Sequence, residues 1–304
     1  MKSVIFFFLT GLMVLSAEDH LEAARGALDS GFPKVALLKI EAAVPMIGNA
    51  EAGDQANLLY ARALIADGQA EAAVKLLGEV SANAGLMKEF WLAQAFAANG
   101  AFAEALEKYT NCAMAADFLF FREAVLGRAS MLRNLNRLEE AVTVLADTAS
   151  WPSSPEKNQA LLDLAELHIV KGNGVEAQKV LVHLPVEDLK DRTKKDFLSA
   201  AAMCLLNKNE SALEILANLK PGDANMLTSS VILQAQAFSR MGRSSEAESL
   251  LEDFIAGHSA IPGLERVFVA LDGVYAAAPN ASSSEMRSTG DMVAKLPQIQ
   301  QVLG

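Results

Sequence analysis

The sequence predicts an all-α fold: a solenoid of about seven helix hairpins with a degenerate C-terminal helical pair after them. Four observations carry that expectation. Alanine recurs at Ala36, Ala73, Ala105, Ala141, Ala177, Ala212 and Ala247, at steps of 37, 32, 36, 36, 35 and 35 residues. Twelve residues before each stands another alanine: Ala24, Ala61, Ala93, Ala129, Ala165, Ala200 and Ala235. Five residues before each of the first set lies Gly31, Gly68, Gly100, Asn136, Gly172, Asn207 or Gly242. Finally, 52% of residues are apolar, yet β-branched runs with period two are scarce, so sheet is not expected. A fixed period of this length marks stacked supersecondary units rather than one compact core.

Each column has a physical cause. Gly and Asn take positive φ most readily, as the end of a first helix requires. Alanine on both helices lets their axes approach closely, and a larger side chain there would overpack at a cost of about 1–3 kcal/mol. Four residues after the second-helix alanine comes a large residue: Ile40, Leu77, Tyr109, Leu145, Leu181, Leu216 or Leu251. One helical turn on, it is placed to fill the space between paired helices.

Taken in order, the chain opens with MKSVIFFFLTGLMVLSAEDH. Lys2 precedes an apolar run, Val4 to Leu15, which is short for spanning a bilayer and matches a signal-peptide core. Residues 1–17 are expected to be a signal peptide cleaved near Ala17, with an uncleaved anchor as the alternative. Residues 18–260 carry the hairpins, and the third shows the pattern most plainly in Ala93, Phe96, Gly100, Ala105 and Tyr109. Residues 261–304 fit the register poorly: one helix is expected from Gly263 to Ala278, stopped by Pro279, and a second toward Lys295. They read as degenerate capping helices or the start of a further region, and they end in apolar LPQIQQVLG, unlike the polar face a solenoid end needs.

These columns resemble the tetratricopeptide repeat (TPR) family, and in particular exported bacterial TPR-containing proteins. The resemblance covers about residues 18–260. The first-helix aromatic column is weakened to Ala27, Leu64, Leu132, His168 and Met203, and the closing proline is displaced to Pro45, Pro152, Pro185 and Pro221. The family implies a right-handed superhelical solenoid whose first helices line a concave groove for an extended peptide or a partner helix. The residue after each first-helix alanine would face it: Arg25, Arg62, Gln94, Ser130, Glu166, Ala201 and Gln236. A turn further come Leu28, Ile65, Ala97, Arg133, Ile169, Cys204 and Ser239. The partner-binding set is therefore Arg25, Arg62, Gln94, Arg133, Glu166 and Gln236, with arginine forks suited to peptide carboxylates. Arg25, Arg62 and Arg133 have an ordinary alternative, as solvated arginines paired with Glu22 or other neighbours. The Asn with which some members clamp chaperone C-termini is lacking, so that ligand is not expected.

Catalytic, metal and cofactor sites are not expected. His20, His168, His183 and His258 lack metal spacing. Gly172-Asn173-Gly174 lacks the Lys-Ser/Thr of a phosphate loop, and Glu139-Glu140 falls on a solvent face. Net charge of −11 argues against nucleic acid. Cys112 and Cys204 belong to repeats three and six, too far apart for a disulfide, and are expected as unpaired, buried thiols. The function expected is a non-enzymatic protein-binding scaffold, exported and periplasmic or envelope-associated, touching membrane only through an uncleaved N-terminal segment. The alternatives are the repeat portion of a larger envelope enzyme or transporter assembly, and a small-ligand carrier.

Overall fold

A computed structural model describes residues 16–48, 50–185 and 189–277, and among them fifteen α-helices and no strand occur. The helices are α1 (Ala17–Asp29), α2 (Pro33–Ala43), α3 (Ala50–Ala66), α4 (Ala70–Glu79), α5 (Gly85–Ala98), α6 (Phe102–Cys112), α7 (Phe121–Asn134) and α8 (Leu138–Ala146). After them come α9 (Pro155–Val170), α10 (Gly174–Val182), α11 (Leu189–Leu205), α12 (Asn209–Asn218), α13 (Ala224–Arg240), α14 (Ser244–Gly257) and α15 (Leu264–Ala277). The apolar run Val4 to Leu15 and the second C-terminal helix expected toward Lys295 lie outside the described residues.

The hinges form as the sequence demands. Gly31, Gly68, Gly100, Gly172 and Gly242 take φ of 75–79°, and Asn136 and Asn207 take 58°. At all seven, the amide of the next residue donates back to a carbonyl five residues earlier at 2.7–3.0 Å, as in Ala101 N to Phe96 O and Asn173 N to His168 O. This is the six-to-one bond of a Schellman cap, which satisfies a carbonyl the helix end leaves orphaned. It also explains the weakened first-helix column. Ala27, Leu64, Phe96, Leu132, His168 and Met203 each supply that accepting carbonyl, so the cap itself does not require a ring at the position.

The two alanine columns are buried throughout, none above 3% exposed, and the large column from Ile40 to Leu251 is equally buried. The molecule divides into two compact units, Met1–Val144 and Leu145–Gly304. In the first, α1 packs on α2, α3 on α4 and α5 on α6, while α3 also touches α1 and α5, and α5 touches α7. In the second, α9 packs on α10, α11 on α12 and α13 on α14, and α9, α11, α13 and α15 succeed one another as neighbours. First helices thus form one layer in each unit. The second unit closes on Val231, Leu251, Ile255, Val267, Phe268 and Leu271 from α13, α14 and α15.

Both cysteines are free and buried. Burial pushes the Cys112 thiol up to about 11, with Glu89 adding to it and Lys108 opposing. Burial likewise raises Cys204, against the pull of Arg240.

Candidate interaction groove

The first-helix layer of the second unit is hollowed into two adjoining cavities. One, of about 490 Å3, is lined by Glu166 and Ile169 of α9, Lys194, Phe197 and Ala201 of α11, and Met226 and Leu233 of α13. The other, of about 650 Å3, lies between α13 and α15, with Ser239, Val269, Ala270 and Val274 in its walls. Ile232, Gln236 and Arg266 line both, so the two read as one continuous groove. The register explains the hollow. With Ala165, Ala200 and Ala235 buried, the next residue on each helix, turned by about 100°, falls on the groove side, and at Ala201 it is too small to fill the space.

Charges at this groove are paired across helices. Lys194 Nζ lies 3.0 Å from Asp163 and 3.6 Å from Glu166, both on α9, and all three side chains are half-buried. Arg266 donates to Ser229 Oγ at 3.2 Å, and Arg240 donates to the Cys204 carbonyl at 2.7 Å. Ser239 Oγ is sealed from solvent and has no hydrogen-bond partner. An apolar hollow of this size with few polar groups is the usual form of a binding cleft.

Of the residues picked from the sequence, Glu166 and Gln236 line this groove together, with Ala201 and Ile169 beside them. Cys204, placed on that face by the register, is buried instead at 2% exposure, because α11 packs it against Ala212 and Ala237. In the first unit, Arg25 is exposed and bonds Glu22 at 3.0 Å, the ordinary alternative. Arg62 bonds Asp29 of α1 at 2.7 Å and lies over the Trp91 ring of α5, 6.0 Å from its centroid. It thereby joins three first helices. Gln94 is half-buried on α5, and Arg133 is exposed in the last turn of α7.

Two features escaped the sequence reading. Phe118 and Phe120, in the connection before α7, pack on Phe90, with Phe120 stacked at 4.7 Å and Trp91 edge-on at 5.2 Å. That connection lies between register positions, so no column pointed to it. Arg266, Val269 and Ala270 on α15 also lie beyond the last register position. Their one signal is the small or apolar series Val269, Ala270, Gly273 and Ala277 on one side of a helix.

No protein-family model matches the chain, and no curated protein matches it. Among solved structures it is similar to a tetratricopeptide repeat protein from Parabacteroides merdae, at 15% identity and a TM-score of 0.59, over 85% of this chain and 98% of that one. Looser likenesses join it to the Cut9–Hcn1 hetero-tetramer of the APC/C (14% identity, 94% and 58% covered, TM-score 0.45). A further one is to the TPR2AB domain of yeast Sti1 in its pHSP90 complex (14% identity, 87% and 98% covered, TM-score 0.35). Neither of these two is close enough to compare sites. The hinge geometry, the buried alanine columns and the Parabacteroides likeness agree, and in fold this chain is an array of tetratricopeptide-repeat-like helix hairpins.

Proposed function

We propose that the protein is a non-enzymatic scaffold, exported to the bacterial envelope, that binds a peptide or helix of a partner protein on its first-helix face. The observation that carries the reading is the continuous groove along α9, α11, α13 and α15. Its walls are mainly apolar, and its polar groups sit where they can orient a bound chain. Glu166 and Gln236 serve in it as polar contacts. Arg25 and Arg62 are weaker anchors than their chemistry suggests. Glu22 and Asp29 already occupy their forks, and a partner carboxylate would have to displace them. Exposed pairs of this kind contribute about 0–1 kcal/mol, so displacement is feasible but gains little. Gln94 and Arg133 extend the same face of the first unit.

The test is crosslinking through Lys194 in the native host, comparing the natural protein with an Ala201→Trp variant of equal helicity and melting temperature. The expected result is a partner peptide joined to Lys194 in the natural protein and lost in the variant. The same partner peptides recovered from both would reject the groove. Export is tested separately by sequencing the mature N-terminus from a fractionated envelope.

A further inference from the structure

Exposed apolar side chains gather on one helix of the first unit. Phe32, Val35, Leu38, Val44 and Met46, on α2 and at its two ends, are each 45–66% exposed. Together they show water about 500 Å2, toward the upper end of the apolar patches that a monomer ordinarily carries. The core side of the helix is elsewhere. Ala36 and Ile40 pack with Ala24 of α1 and with Leu59 and Ala63 of α3, and Ala43, seven residues after Ala36, is buried on the same side. At about 100° per residue, the opposite side is centred on Leu38. Val35 and Ala42 fall to one flank of it, and Lys34 and Glu41 to the other. Lys34 is exposed. Glu41 Oε1 accepts from Tyr60 Oη of α3 at 3.2 Å, which ties the carboxylate to the edge of this face.

We propose that a second copy of this chain covers this face, through an antiparallel contact of α2 with α2 about a two-fold axis at Leu38. The face is complementary to itself in that arrangement. A two-fold interface sets residue i against j and j against i. With the axis at Leu38, that residue meets the partner's Leu38, and Val35 meets the partner's Ala42. On the other flank, Lys34 meets the partner's Glu41, and Glu41 meets the partner's Lys34, so the opposite charges pair twice. A parallel contact would bring equal heights together and lose both pairs. Phe32 comes to lie at the end of the partner's helix that carries Val44 and Met46. Lys39 stands about 100° from Leu38, and its long stem lets the ammonium turn to water. A stable interface buries about 800 Å2 on each side. The apolar patch supplies more than half of that as a centre, and Lys34 and Glu41 begin the polar rim such a centre needs. The contact lies on α2, outside the groove of α9 to α15, so either site can fail while the other stands.

The experiment is sedimentation equilibrium of the full chain in 0.15 M salt, where charges more than about 8 Å apart are largely screened. The natural chain should be a dimer and Leu38→Asp a monomer. Lys34→Glu and Glu41→Lys should each raise the dimer dissociation constant about tenfold, because each puts like charges together twice. The double variant Lys34→Glu/Glu41→Lys should restore it. Lys34, Leu38 and Glu41 are all exposed, and equal helicity and melting temperature of the variants confirm that their folds are intact. Leu38→Cys should link two chains by a disulfide under mild oxidation, while the natural chain, whose Cys112 and Cys204 are buried, should not. A natural chain that stays monomeric at every concentration overturns the proposal and leaves the face to a different protein or a membrane. A dimer that survives Leu38→Asp places the interface elsewhere. A dimer that the charge swap fails to restore, or that forms no disulfide through Leu38→Cys, has another register. Each of these results also overturns the proposal.

Discussion

At the scale of single residues, the hinges and the alanine columns make opposite demands. Gly100 sits at φ 75° with nothing within 4 Å of a would-be Cβ. Gly100→Ala therefore costs only the strain of a left-handed backbone, about 1–2 kcal/mol, and Asn136→Gly at φ 58° should be neutral or slightly stabilising. Gly127 is the reverse: it is helical, so alanine should suit it, yet a Cβ there would stand 2.5 Å from the Tyr109 ring. Tyr109 is 3% exposed and has no room to retreat, so Gly127→Ala should destabilise by about 1–3 kcal/mol despite the better helix former. Urea midpoints of the three variants check these signs. Cys112 adds a pH dependence. Its folded thiol titrates at about 11, raised from 9.0 by burial first. Between those values the unfolded chain sheds its proton and the folded chain keeps it. Stability is thus intact below pH 9 and falls as pH rises toward 11, and Cys112→Ala should flatten that fall in urea titrations at pH 8 and 10.5.

At the scale of elements, helix starts rest on few side chains. Most hinges enter the second helix with no side-chain cap, whereas Ser154 caps α9 through Lys157 N at 3.2 Å. Ser154→Ala should cost about 1 kcal/mol and Ser154→Gly only a few tenths, read as a shift in the thermal or urea midpoint. Helix α1 starts on Ser16, which forms a reciprocal capping box with Asp19, so processing after Ala17 would remove the cap. Such elements were legible in the sequence to the extent that backbone geometry dictates residue type. Left-handed hinges call for Gly or Asn and close helix crossings call for alanine, so Gly31 to Gly242 and Ala24 to Ala247 could be read directly. The candidate groove was legible only in part. Glu166 and Gln236 follow from the register, because the residue after each first-helix alanine keeps the same place on its helix from repeat to repeat. Arg62 over Trp91 and Phe120 on Phe90 depend on rotamers and on a connection of no fixed length. The cavity beside Val269 depends on α15, where the period has already lapsed.

At the scale of the whole molecule, cooperativity is the open physical property. A helix-hairpin array is stabilised by interfaces between neighbours, so its stability is nearly a sum of local terms rather than one core. The two compact units, Met1–Val144 and Leu145–Gly304, are held by separate clusters: Ala61, Leu64, Ala73 and Leu77 in one, and Val231, Leu251, Ile255 and Leu271 in the other. Each unit also contains one tryptophan, Trp91 or Trp151, so each has its own fluorescence probe. Trp91→Phe leaves Trp151 to report the second unit, and Trp151→Phe leaves Trp91 to report the first. In urea, each remaining tryptophan should follow only part of the far-ultraviolet circular dichroism change of the same variant. Its slope should correspond to the surface of about half the chain, because m scales with the area exposed on unfolding. Comparing fluorescence with dichroism inside one variant removes the effect of the substitution itself. Coincident transitions in both variants, with the slope expected for about 300 residues, would instead make the chain a single cooperative block. Separate transitions would mean that the groove along α9 to α15 can loosen while the hairpins of α1 to α7 stay folded.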